Sequence, residues 1–236
     1  MNPQRSEGWF QERAGRVTAS RFAEAIATKR VLLSESEEVV ETNGKPRIKR
    51  VKHYGEASTD TRKRYLRDIV AELLSGQSKP ESSGKALAWG RSVEAQARAA
   101  YELETGRMVV DAPFLLHPDF DFIGASPDGL IGDDGGIEIK CPHDMQVHID
   151  TLQHGMPDDH MAQVQGGMFV TGRAWWDFVS YDPRQAEPYR LYIQRIARDP
   201  AYIATLQDGL IRFWGEVQEA VATLKQKTAN NEREGA

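Results

Sequence analysis

"SPDGLIGDDGGIEIKCP", Ser126 to Pro142, is the stretch whose reading decides the fold. Its second half, "GIEIK", alternates. Glu138 and Lys140 therefore share one face of a strand, and Ile137 and Ile139 point the other way, into a core. Asp128 lies just before the partner run "LIG", and "DDGG" (Asp133–Gly136) is a turn that folds the two runs into a hairpin. Two carboxylates and one ammonium then converge at one end of that hairpin. Like carboxylates repel, so the cluster needs a compensating charge.

That cluster suits phosphodiester hydrolysis. A hard cation such as Mg²⁺ takes one or two carboxylates, with water and phosphate oxygens completing its shell. Asp128 and Glu138 can supply the carboxylates, and the backbone carbonyl of Ile139 is placed to add a third oxygen. Lys140 can orient the attacking water and offset charge in the transition state. Beside a metal its pKa should be depressed, so it could also help deprotonate that water. A second ion, roughly 3.5–4 Å from the first, would assist the leaving oxygen. Taken apart, a Pro-Asp-Gly turn and a Glu-x-Lys strand pair are ordinary surface features. Taken together, with ten residues from Asp128 to Glu138 and two more to Lys140, they match the PD-(D/E)-x-K nuclease pattern.

The rest of the chain supplies a frame. "VTASRFAEAIAT", from Val17, reads as a helix start capped by Thr18 or Ser20. Residues 29–56 hold an acidic run, an Asn43-Gly44 turn signal and a basic run, "KPRIKRVKH", and read as an inserted hairpin or loop. "TDTRKRYLRDIVAELL" (Thr59–Leu74) is an amphipathic helix with Tyr65, Ile69 and Leu73 inward and Arg62, Lys63, Arg64 and Arg67 on its polar side. After a Gly/Ser/Pro linker, a helix from about Ala86 ends at Gly106. Short apolar runs split by Pro, Gly and Asp then read as a strand meander. "HMAQVQGGMFVTG" is helical, "AWWDFVSYDP" and "YRLYIQRI" are strands, and a long helix runs from Pro200 to about Lys227. The fold class is α/β (α+β), a central mixed sheet flanked by helices in a single domain over 1–227, with 228–236 as a frayed tail.

Composition narrows the classes. The 236 residues are 40% hydrophobic and 28% charged, which suits one sizeable core. No apolar run spans a membrane, and "MNPQRSEGWF" lacks a signal peptide's apolar centre, so a cytoplasmic protein is expected. The single cysteine, Cys141, excludes an internal disulfide and a four-cysteine metal site. A net charge of −5 argues weakly against a protein that coats nucleic acid, but not against a nuclease. No histidine has metal-ligand spacing, and all six read as structural.

Blocks in order along the chain resemble the phage lambda exonuclease (YqaJ-type viral recombinase) family. They are "GRVTAS" (Gly15–Ser20), "KALAWG" (Lys85–Gly90) with Glu94, "SPDGL", "EIKCP", "MAQVQ" (Met161–Gln165) and "YDPR" (Tyr181–Arg184). The resemblance implies a restriction-endonuclease-like core and a Mg²⁺-dependent enzyme, with two ions and Mn²⁺ as a substitute. It implies 5′→3′ degradation of one strand of linear duplex DNA to 5′-mononucleotides, leaving a 3′ single-stranded tail. It also implies a homotrimeric ring, a single-strand annealing recombinase as partner, and a phage or prophage protein working in the bacterial cytoplasm. Asp128 and Glu138 become metal ligands with the Ile139 carbonyl, and Lys140 becomes the catalytic lysine. Glu94 stands beside the second metal and water, and Gln163 positions substrate or the lysine. Arg13, Thr18, Ser20 and Ser126 surround a 5′-phosphate, which a helix N-terminus would also favour. Leu87 matches a wedge that parts the duplex end. The other readings are a site- or structure-specific endonuclease of the same superfamily and a non-catalytic DNA-binding subunit.

Overall fold

The computed structural model describes residues 2–42, 45–79 and 84–234. A short helix α1 (Glu7–Arg13) is capped by Ser6, whose side chain accepts from the Trp9 amide. Strand β1 (Val17–Thr18) follows, then a 3-10 turn (Ala19–Arg21) and helix α2 (Phe22–Ile26). The expected cap is absent: neither Thr18 nor Ser20 makes a side-chain capping bond. Thr18 is instead held as a strand against Gly124 of β5 (Ile123–Ala125), and its hydroxyl turns to Arg13 and Ser20.

Across residues 29–56, expected to be a hairpin or loop, run the paired strands β2 (Thr28–Thr42) and β3 (Lys45–Ser58). The acidic and basic runs face each other across the pair. Lys52 meets Glu35 at 3.5 Å and Arg50 meets Glu37 at 3.6 Å. The Asn43-Gly44 turn lies outside the described residues.

Helix α3 (Asp60–Ser75) starts at Thr59, whose hydroxyl accepts from the Arg62 amide. Tyr65 and Ile69 are buried, but Leu73 is exposed and Arg62 is not. The polar-side reading of Arg62 fails because another helix covers that side. Arg62 donates to both Glu216 carboxylate oxygens, at 2.5 and 2.9 Å, and to the Ala25 carbonyl at 2.8 Å. Glu216 belongs to the last helix, α7 (Pro200–Glu234). That helix runs past Lys227 through the expected tail, where no proline or glycine interrupts it before Gly235.

Helix α4 (Lys85–Thr105) ends at Gly106, whose φ of 66° is the left-handed stop expected there. The meander resolves into β4 (Leu115–Leu116), β5, β6 (Gly129–Ile131) and β7 (Gly135–Lys140). Helices α5 (Met145–His154) and α6 (Met161–Thr171) then carry the chain across to β8 (Trp175–Tyr181), and β9 (Leu191–Ala197) returns beside it. The main sheet has the order β6-β7-β8-β9; β7 and β8 are parallel and the outer pairs antiparallel. A parallel pair requires a crossover, which α5 and α6 provide. A second sheet has the order β1-β5-β4.

The main sheet is covered on both faces. On one, Ile137, Ile139 and Val179 pack with Val93, Ala97 and Tyr101 of α4. On the other, Trp176 and Phe178 join Val164 and Met168 of α6 and Leu206, Leu210 and Phe213 of α7. The turn is Gly132–Asp134 rather than Asp133–Gly136. Gly135 and Gly136 are strand residues, and the Trp175 and Trp176 rings lie 2.1 and 2.4 Å from where a Cβ would stand on each. They are glycines because two indoles lie across the strand, not to make the turn. Among the described residues no helix is long and apolar enough to cross a membrane.

Candidate active site

Strand β7 has the parity its alternation predicts. Ile137 and Ile139 enter the α4-side core, while Glu138, only 4% exposed, faces the α6 side with Lys140. Lys140 Nζ lies 2.7 Å from Glu138 Oε1 and 3.1 Å from Gln163 Oε1. Gln163 Nε2 donates to the same Glu138 oxygen at 2.6 Å. Gln163 thus holds the ammonium and the carboxylate in one closed triangle.

Asp128 is fixed by the end of β6. The Gly129–Ile137 pairing turns the odd-numbered backbone groups of β7 toward β6. At Ile139 that strand has run out, and the Ile139 amide donates to Asp128 Oδ2 at 2.7 Å instead. By the same parity the Ile139 carbonyl faces the side of Asp128.

Helix α4 brings Leu87, Arg91 and Glu94, spaced i, i+4, i+7, to the same mouth. Trp89 Nε1 ties its first turn to the Pro142 carbonyl, at 3.1 Å. Arg184, of the "YDPR" block, lies over the Trp89 ring at 4.3 Å and donates to the Pro142 and His143 carbonyls.

The residues expected around a 5′-phosphate cluster beside this. Arg13 Nη1 donates to Ser126 Oγ at 2.8 Å, and its Nη2 reaches Thr18 Oγ1 at 3.4 Å. Trp9, one turn earlier on α1, donates to the same Ser126 oxygen at 3.1 Å, and Arg13 stacks 4.2 Å over its ring. Trp9 has no place in the sequence reading, though its i, i+4 spacing to Arg13 was available as a signal. A single cavity of about 380 Å³ is lined by Arg13, Ser20, Leu87, Glu94, Ser126, Asp128, Glu138, Ile139, Lys140 and Gln163. Of the sequence-predicted residues only Thr18 lies outside it, in an adjoining cleft of about 510 Å³. That larger cleft is a weaker candidate. Its carboxylates are already committed, Glu24 and Asp68 to Arg21 and Glu72 to the Gly15 and Lys79 amides.

Burial, and then the charge of Glu138, push the Asp128 carboxyl well above the usual range. Burial works to lower the Lys140 pKa, but Glu138, Asp128 and Glu94 more than offset it and hold the ammonium above its ordinary value. The depressed lysine expected beside a metal is therefore not a property of the carboxylate cluster itself. Among the described residues no group of three His, Cys, Asp or Glu side chains stands ready as a metal cage. The oxygen set is two carboxylates and a backbone carbonyl, with the carboxylates crowded enough to repel. It fits a hard cation that keeps several waters.

The raised Asp128 pKa makes a stability prediction. The folded form binds the proton more tightly than the unfolded one, so stability falls as pH rises from the ordinary carboxylate range through the folded pKa. Asp128→Asn removes that penalty and keeps an acceptor for the Ile139 amide. In EDTA at neutral pH it should melt above wild type, by roughly 2–4 °C per 1 kcal/mol relieved. An equal or lower Tm would show that the crowding is not felt.

Residues 8–174 match the YqaJ-like viral recombinase domain. The chain is similar to the crystal structure of an alkaline exonuclease, LHK-Exo, from Laribacter hongkongensis, at 34% identity and a TM-score of 0.78, covering 95% of this chain and 99% of that one. Its complex with dAMP gives a TM-score of 0.79 over the same shares. A phage related exonuclease from Haemophilus somnus 129PT shares the fold, with a TM-score of 0.59 at 18% identity over 90% and 96% of the two chains. A segment of 65 residues is 35% identical to ExoD of Escherichia coli K12, covering 28% of this chain and 74% of that protein. The family match spans most of the chain and the shared fold nearly all of it, so the chain belongs to the YqaJ-like viral recombinase domain family, a lambda-exonuclease-like nuclease.

Proposed function

We propose that the chain is a Mg²⁺-dependent 5′→3′ exonuclease that degrades one strand of linear duplex DNA to 5′-mononucleotides. One observation carries this reading: the Arg13–Ser126 cluster and the Asp128–Glu138–Lys140–Gln163 cluster line the same cavity. A strand held by its terminal phosphate at the first would bring its next phosphodiester to the second. The similarity to an alkaline exonuclease over nearly the whole chain supports it.

Bound between Asp128, Glu138 and the Ile139 carbonyl, Mg²⁺ would supply Lewis-acid polarisation of the phosphate and a more acidic water. The protein's own groups do the rest. Arg13 and Ser126 seat the 5′-phosphate and fix the register of cleavage. Lys140, held by Gln163, orients the attacking water and stabilises charge growing on the phosphate oxygens. The water oxygen bonds to phosphorus, the bond to the leaving 3′ oxygen breaks, and that oxygen takes up a proton. Leu87, half-buried at the cavity rim, is the residue we assign to parting the duplex end.

By the same resemblance the protein works as a homotrimeric ring in the bacterial cytoplasm and passes its 3′ tail to a single-strand annealing recombinase. Light scattering should give about three times the chain mass of 26.5 kDa.

The test is release of mononucleotides from linear duplex in Mg²⁺, with and without a 5′-phosphate, beside a covalently closed circle. The linear duplex should be consumed and the circle left intact. Cutting of the circle would make the protein an endonuclease, and no release from either would leave a DNA-binding subunit. Arg13→Ala should lower the preference for phosphorylated ends by about 10-fold, the scale of a charge-assisted pair. Equal loss on both kinds of end would overturn the pocket.

A further inference from the structure

Arg5 has no part in the account above. It stands just ahead of the Ser6 cap of α1, with a φ of 66°, the one non-glycine residue in the left-handed region among those described. Such a conformation disfavours a residue with a Cβ, and it persists where the surroundings impose it, often at functional sites. Here Gln4 imposes it from one side, donating to the carbonyl of Pro127, the residue before Asp128, at 2.6 Å. Arg5 itself reaches Glu94 Oε2 at 3.1 Å. The two side chains are 38% and 31% exposed, so the pair contributes little to stability. Stability does not explain why a strained arginine is held at this point.

Its place in the cavity does. Arg5 lines the same space as Asp128, Glu138 and Lys140. Arg13 is turned to Ser126 and Thr18 at the other end of α1, and Lys140 is held by Glu138 and Gln163. Among the described residues Arg5 is tethered by a single ion pair, to the partly exposed Glu94. A guanidinium has five donors in a planar fork that matches phosphate.

We propose that Arg5 is a phosphate-binding residue for the nucleic-acid strand, latched to Glu94 in the free protein and released to a phosphodiester oxygen when Glu94 is engaged elsewhere. The proposal rests on the nuclease reading. It makes α1 a two-ended clamp: Arg13 grips the terminal phosphate, and Arg5 grips the strand on the far side of the carboxylates. It also gives Glu94 a second task, since the carboxylate that would stand beside a cation also restrains the arginine until that cation arrives.

The test needs no turnover. Binding of a 5′-phosphorylated duplex is measured by fluorescence anisotropy in EDTA for wild type, Arg5→Ala, Glu94→Gln and the double variant. Arg5→Ala should change affinity less than about 2-fold when Glu94 is intact, and lower it about 10-fold in the Glu94→Gln background. The same factor in both backgrounds, or none in the second, overturns the latch. Arg5→Gly suits the backbone conformation, so it should melt at or above wild type and still show the binding loss beside Glu94→Gln. A lower Tm would make Arg5 a structural residue instead. If wild type digests duplex in Mg²⁺ but the two sites show no coupling, only the Arg5 proposal falls. If neither digestion nor binding by Glu94→Gln is seen, the nuclease reading falls with it.

Discussion

Asp128→Ala should retain less than about a thousandth of wild-type nuclease activity in saturating Mg²⁺, a loss on the order of 4 kcal/mol of transition-state stabilisation. The size follows from how many things meet at one carboxylate. Asp128 is one of only two carboxylates on the hairpin end, and its Oδ2 receives the Ile139 amide where β6 gives out. Alanine removes a proposed metal ligand and leaves that amide without its partner. Lys140→Ala should be nearly as severe by a different route. It frees Glu138 and Gln163 from the triangle and removes the cation proposed to face the phosphate. The two losses should not add, because both variants disable one unit. Steady-state rates on one 5′-phosphorylated duplex, with far-ultraviolet dichroism to show intact folding, decide it. A folded Asp128→Ala protein within 10-fold of wild type would place the chemistry elsewhere.

The second large effect is on stability. Asp177, in the centre of β8, is 2% exposed and accepts three hydrogen bonds. Tyr101 Oη of α4 donates at 2.6 Å, and Arg195 of β9 donates through Nε and Nη2, both at 2.8 Å. One carboxylate therefore ties a helix and two strands together, and α4 is the helix that carries Glu94 and Leu87. Asp177→Ala strands a buried phenol and a guanidinium that is itself stacked 3.6 Å over Trp175. Breaking such a network by removing one partner costs roughly 3–5 kcal/mol in a buried setting. Arg195 is partly exposed, so the lower end applies, and Tm should fall by about 6–12 °C. Asp177→Asn, which keeps an acceptor, should lose less. A fall under about 2 °C for the alanine variant would mean that hydrophobic packing alone holds α4 to the sheet.

Strand β7 was legible because its information is local. Alternation in "GIEIK" assigns faces over five residues, and a strand has a period of two in any fold. The ten-residue interval from Asp128 to Glu138 is the length of one tight hairpin, so their meeting followed from the chain's own geometry. The same holds for Gly106 as a helix stop and for the hairpin at 29–56, where complementary charge runs face each other in register.

Other features depended on which element covers which, and no local period carries that. Arg62 sat on the polar side of an amphipathic helix until α7 supplied Glu216 more than 150 positions later in the chain. Thr18 had the composition of a cap but was taken by β5 as a strand partner. Gly135 and Gly136 looked like turn residues, and only the return of β8 placed two indoles across them. Arg5 carries no local signal at all, and it reaches Glu94 because Gln4 fastens that segment to Pro127. The sequence by itself determined the strand parity and the hairpin that brings Asp128, Glu138 and Lys140 together. The tertiary structure decided which charges are buried, which glycines are obligatory and which arginines share the cavity, since a residue's burial is a property of what packs against it.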